Sequence, residues 1–171
     1  MTATPDQSEI AHLEAHITKY LFLLEAAAAE ITMARNDDLP KLGRTSRAAV
    51  MIAGLIENYY TCAETVFVRI SQFFGNHLPP DRWHRELLER MCLDIPAARP
   101  RVLSDATLND LLELMRFRHF KRYYFGTAYD WERIDALLRR VERLAVHLPS
   151  ELQAFRSFLG QLAASPLNCS L

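Results

Sequence analysis

Glycine is scarce in this chain, with five among 171 residues. Together with long runs free of breakers, that scarcity argues against a sheet protein. Cysteine is scarcer still. Cys62, Cys92 and Cys169 lie far apart with no paired spacing, which fits neither a disulfide framework nor a zinc site and points to a reducing cytoplasm. Long apolar runs are missing too. The most apolar window, 20–31, is interrupted by Glu25 and Glu30 and is too short to cross a bilayer, so no membrane is expected as a partner. No basic segment followed by an apolar run opens the sequence, so no signal peptide is expected. Net charge is nearly absent: the formal value of −1 excludes a general electrostatic grip on nucleic acid and leaves only a local one. A glycine-rich phosphate loop is absent as well, which argues against nucleoside triphosphate chemistry and leaves no cofactor to expect. Asn168-Cys169-Ser170 has the form of a glycosylation acceptor, a match without meaning in a cytosolic chain.

What is present reads as helix. Half the residues are apolar and about a quarter charged, as in an ordinary soluble domain, and the length suits one domain with a substantial core. Ile10, Leu13, Ile17, Leu21, Leu24, Ala28 and Ile31 recur at three- and four-residue steps, a helix stripe that Ser8 can cap and that Asn36 to Pro40 should break. A second long helix carries Ala49, Ile52, Ile56, Tyr60, Ala63, Phe67 and Ile70 and ends near Gly75-Asn76. Pro79 and Pro80 mark a turn, with Asp81 as cap for a short helix holding Trp83, Leu87, Leu88 and Met91. A loop from Ile95 to Leu103 leads to a fourth helix capped by Ser104 or Asp105, with Leu108, Leu111, Leu112 and Met115 inward and an interruption at Gly126. The last helix starts around Asp130 and runs past Leu162, with Pro149 expected to kink it. The reading is an all-α, four- to five-helix up-and-down bundle. It forms a single domain over 1–171, with a core of about 8–164 and a tail of 165–171.

One stretch stands apart chemically. Arg116-Phe117-Arg118-His119-Phe120-Lys121-Arg122-Tyr123-Tyr124-Phe125 gathers four cations, an imidazole and two phenols in little more than two turns. Acidic residues Asp105, Asp110 and Glu113 precede it, an order that complements the helix dipole by itself. Against that bland reading, Arg118 and Arg122 are one turn apart, as are His119 and Tyr123. Like charges so placed cost stability, and an anion would offset the cost. Phe117 and Phe120 read as core anchors rather than base-stacking platforms. The set suits metal-independent cleavage of RNA, which needs a group titrating near neutrality for the proton and a cation for the charge developing on phosphorus. A bidentate arginine fills the second role. No carboxylate pair or His/Asp/Glu set at ligand spacing lies beside the cluster, so no metal is expected.

Phe117-Arg118-His119-Phe120, then Arg122, and later Asp130-Trp131-Glu132-Arg133 resemble the HepT-like branch of the HEPN superfamily. Upstream, Tyr60 with Glu64, Trp83-His84-Arg85-Glu86-Leu87-Leu88, and Arg99-Pro100 also fit, so the likeness spans roughly residues 42 to 160. The resemblance implies a homodimeric bundle in which two copies of the motif form one composite cleft. It further implies a ribonuclease toxin of a toxin–antitoxin pair, neutralised by an MntA-like nucleotidyltransferase that adds AMP groups to a tyrosine. The family motif is Arg, four residues, His, one residue, Tyr. Arg118 holds the first place, but Tyr123 stands at the His position and Phe125 at the Tyr position. A phenol titrates near pH 10 and is a poor general base at neutrality, and phenylalanine has no hydroxyl to modify. Three readings stay open. His119, one turn back from Tyr123, takes over as acid or base; or the chain keeps fold, dimer and partner without cleaving RNA; or it is an inactivated variant of a working toxin. On the first, the catalytic set is Arg118, His119 and Tyr123, with Arg116, Lys121 and Arg122 on the RNA backbone. Tyr123 and Tyr124 are the candidates for modification. His119 reads equally as a hydrogen-bonded interface residue. Glu64 either reaches Arg118 across the bundle and orients it or stays solvated on its own helix. Trp83-His84 reads as a packing anchor for the short helix.

Overall fold

The computed structural model describes residues 6–75 and 83–164. Five helices carry the fold, with one further short turn: α1 (Gln7–Met33), the turn α2 (Leu39–Leu42), α3 (Ser46–Phe73), α4 (Trp83–Met91), α5 (Asp105–Tyr123) and α6 (Trp131–Ala164). The described residues contain no β-strand. A single bridge between Ile95 and Arg99 is their nearest approach to one.

Cross-helix contacts fix the directions. Gln7 donates to the carbonyl of Ala163 at 3.3 Å and Arg156 to Thr18 Oγ1 at 2.9 Å, so α1 and α6 run antiparallel. Arg44 meets Asp135 at one end and Phe74 meets Phe155 at the other, so α3 runs with α6. Lys121 pairs with Glu57 and Arg118 with Glu64, which sets α5 against α3. The result is the up-and-down bundle that the apolar periods predict. Ile52, Ile56, Tyr60, Ala63, Phe67 and Ile70 of α3 are all fully buried. Each large apolar side chain there contributes about 1.5–3 kcal/mol. Phe117 joins the core as expected, whereas Phe120 stays at its edge.

Some local expectations need correction and others are met. Asp6 rather than Ser8 caps α1, with its backbone N–H given to Glu9 in a capping box. Asn36 to Pro40 do not break the first helix. Residues Ala34–Asp38 form a π-helical turn that continues into α2. The wider turn shifts the hydrogen-bond ladder by one residue, so Pro40 sits in a first turn, where its missing N–H is tolerated. The chain stops only at Gly43, whose φ of +68° suits glycine. Ser104 is the cap of α5, accepting from the Thr107 N–H at 3.3 Å. That helix ends at Tyr123, before Gly126. Asp130 accepts from the N–H of Glu132 at 3.0 Å and starts α6, which runs through Pro149 as one element. The expected turn at Pro79 and Pro80, the cap Asp81, Asn76 and the tail 165–171 lie outside the described residues.

The connection between α4 and α5 is held by a buried cation. Arg99 sends its guanidinium to the carbonyls of Arg90 (2.7 Å), Pro100 (3.1 Å) and Leu93 (3.2 Å). Carbonyls hold both terminal nitrogens with no carboxylate in the set, while the buried Nε has no hydrogen-bond partner among the described residues. The carbonyl contacts tie the end of α4 to the loop that leads to α5, with the guanidinium 5.9 Å from the ring of Phe74 just after α3.

Candidate functional site

Glu64 is buried on the core stripe of α3, an expensive place for a carboxylate unless it is fully partnered. Three side chains from three elements meet it. Tyr60, one turn earlier on α3, donates its hydroxyl to Oε1 at 2.9 Å. His84, at the start of α4, brings Nδ1 to the same oxygen at 2.5 Å. Arg118 of α5 pairs with the other oxygen, Oε2, at 3.4 Å. Its guanidinium also stands 5.7 Å from the centre of the Tyr60 ring, a cation–π contact. Burial, and then the neighbouring Glu64 charge and hydrogen bond, push the Tyr60 hydroxyl well above the ordinary phenol range against a smaller opposing pull from Arg118. Tyr60 therefore stays a proton donor to the carboxylate. Arg118 keeps 22 % of its side chain exposed, so it reaches the surface while anchored inside. Of the two readings of Glu64, the cross-bundle contact is the one found.

The packing expected of Trp83-His84 is present, with the two rings stacked and their centroids 3.6 Å apart; the contact of His84 with Glu64 is not visible along the sequence. The signal that could have pointed to it is Glu64 itself: a carboxylate in the period of Tyr60, Ala63 and Phe67 needs partners from elsewhere.

The cations of α5 are less free than their density suggests. Arg116 pairs with Glu113 within the helix, and Lys121 reaches Glu57 of α3 at 2.5 Å. The anion that like charges one turn apart call for is thus supplied largely by the chain's own carboxylates. Arg122 is exposed, with no ion-pair partner among the described residues. Arg133 of α6 covers Phe120 at 4.7 Å and Phe117 at 5.8 Å.

Tyr123 closes α5 and is 66 % exposed; Phe125 lies beyond the helix at 95 %. Tyr123 lies five positions after Arg118, roughly 140° around the helix axis, so the first faces α3 and the second faces out. His119 is exposed and meets Tyr123 edge-on at 5.2 Å. Tyr124 is engaged instead: its hydroxyl donates to the Ala128 carbonyl at 3.1 Å and its ring stacks on Phe120 at 4.8 Å. Gly126 permits that arrangement, since a Cβ there would come within 2.8 Å of the Tyr124 ring.

The motif order, the spacing and the all-α bundle point one way, and a family match decides it. Residues 51–159, more than half the chain, match the HepT-like protein family. The chain belongs to the HepT-like family. No curated protein and no solved structure matches it. Within this HepT-like chain the match covers every residue of the Glu64 cluster and the whole of α5.

Three further features complete the description. Among the described residues no group of three His, Cys, Asp or Glu side chains is placed to hold a metal ion, and no helix is long and apolar enough to cross a membrane. Burial pushes the thiols of Cys62 and Cys92 up to about 11, so both are packing groups rather than ready nucleophiles.

Proposed function

We propose that this chain is a HEPN-type toxin of a toxin–antitoxin pair, a metal-independent endoribonuclease that acts in the cytoplasm as a homodimer. The observation that carries the reading is Arg118, held by Glu64 yet open to the surface at the arginine position of the family motif. One contact with a carboxylate leaves most of its five N–H donors free for a phosphate. Arg122 is the cation best placed to add a backbone contact, with Arg116 and Lys121 contributing if RNA displaces their carboxylate partners. The motif's histidine position holds Tyr123, so proton transfer falls to an imidazole nearby: His119 beside Tyr123, or His84 on Glu64. The partner is an MntA-like nucleotidyltransferase, and the whole chain, 1–171, acts as one domain. The test is incubation of single-stranded RNA with the purified chain in excess chelator. Cleavage leaving 2′,3′-cyclic phosphate and 5′-hydroxyl ends supports the reading, and intact RNA at high protein concentration refutes it.

A second reading has its own observation. Tyr123 offers an exposed hydroxyl at the end of α5, while the Tyr124 hydroxyl is engaged and Phe125 has none. On this reading the chain is a non-catalytic dimer, or an inactivated toxin, whose Tyr123 receives AMP from the nucleotidyltransferase. Mass spectrometry after incubation with that enzyme and ATP should find AMP on Tyr123 and none on Tyr123→Phe.

A further inference from the structure

We propose that His84, on α4 and outside the family's arginine–histidine motif, is the general base and acid of the ribonuclease reaction, with Glu64 as its positioning residue. The inference rests on the ribonuclease reading above. Its ground is one carboxylate that holds an imidazole on one oxygen and a guanidinium on the other: His84 Nδ1 lies 2.5 Å from Oε1 and Arg118 Nη1 lies 3.4 Å from Oε2. An ionised carboxylate has no proton to give, so the hydrogen of this contact sits on Nδ1. That fixes the tautomer and leaves Nε2 as the nitrogen free to exchange a proton. The buried charge of Glu64 also stabilises the imidazolium that forms when Nε2 takes one, the arrangement by which a carboxylate supports a catalytic histidine in acyl transfer. Ring orientation is fixed from a second side by the stack on Trp83. The imidazole is not sealed, with 32 % of its side chain exposed. Both groups share one carboxylate, and on this proposal a phosphate held by Arg118 is within reach of the imidazole. His119 has no such support: its contact is the edge of Tyr123, and it has no carboxylate partner among the described residues.

The reaction balances without a co-reactant. Nε2 of His84 takes the proton of the ribose 2′-hydroxyl as O2′ uses its electron pair to bond phosphorus. The P–O5′ bond breaks and its electron pair leaves with O5′. The imidazolium returns the proton to O5′, giving a 2′,3′-cyclic phosphate and a 5′-hydroxyl. Arg118 meets the charge that builds on the non-bridging oxygens.

The experiment compares metal-free RNA cleavage and RNA binding by the unaltered full-length chain, His84→Ala and His84→Gln. A proton-transfer group contributes about 10²- to 10⁴-fold, so both variants should cleave at least a hundredfold more slowly while binding RNA within threefold of the unaltered chain. Free imidazole should restore cleavage to His84→Ala, which a packing role would not allow. Glutamine keeps a donor for Glu64, so His84→Gln should hold its melting temperature and separates catalysis from folding. Cleavage by a folded His84→Gln within threefold of the unaltered chain overturns the inference and leaves the ribonuclease reading standing. A slow His84→Ala that imidazole does not rescue also overturns it, in favour of a structural histidine. Failure of the unaltered chain to cleave RNA overturns both.

Discussion

Two buried carboxylates tie α5 to its neighbours, and they differ in what holds them. Asp110, near the start of α5, accepts from Arg140 at 2.7 Å and from Arg143 at 2.7 and 2.9 Å, all on α6. Its partners are guanidiniums that keep their charge at every pH of interest, so the cluster is a bolt. Glu64 is as deeply placed but has one guanidinium, one phenol and one imidazole. Two of those partners are neutral or can change charge, and two of the three reach the surface. A structural cluster saturates its anion with permanent charge. The Glu64 cluster leaves its carboxylate less neutralised and one partner free to exchange a proton.

The sharpest way to break this comparison is to remove one negative charge from each cluster. Glu64→Gln should lower metal-free cleavage by about a thousandfold at unchanged RNA affinity, by loss of the correct imidazole tautomer and of imidazolium support; initial rates on a labelled RNA read it. Asp110→Ala should leave the rate per folded molecule unchanged. It should cost about 2 kcal/mol of stability, below the value for a sealed pair because Arg143 is half exposed; denaturant titration reads that. Equal effects of the two changes on the cleavage rate would erase the distinction.

The pH dependence of stability sharpens the contrast more gently. Burial would raise the Asp110 carboxyl, but hydrogen bonds and charge from Arg143 and Arg140 outweigh it and hold the group below its ordinary value. A carboxyl depressed in the folded state stabilises above its unfolded pKa, and that contribution fades as pH falls through the lowered value. The stability gap between the unaltered chain and Asp110→Asn should therefore be full at neutral pH and shrink below about pH 4. A gap constant down to pH 2 would contradict the assignment. Smallest of all is Arg122→Ala. It should leave stability unchanged and reduce the slope of log affinity for single-stranded RNA against log salt by about 0.7, the worth of one phosphate contact. No change in slope removes Arg122 from the RNA surface.

The bundle was legible because burial imposes the helical period: the α3 stripe from Ile52 to Ile70 is buried as its spacing predicts. Asn36 to Pro40 misled because a π-helical turn absorbs a proline that an α-helix would reject. In the site, Tyr60 and Glu64 were visible as neighbours one turn apart, and Arg118 was visible through the motif. Two things were not. The carboxylates Glu57 and Glu64 that neutralise Lys121 and Arg118 come from across the bundle, so a charge run on α5 looked barer than it is. His84 lies 20 residues after Glu64, on a short helix that packs against α3. No local pattern encodes that return.

The decisive measurement is the effect of Arg118→Ala on metal-free RNA cleavage and on the salt dependence of RNA binding, with the melting temperature read alongside. Arg118→Ala should lose at least a hundredfold in cleavage and show a shallower salt slope in a protein that remains folded. Cleavage and slope that both survive the substitution would contradict it.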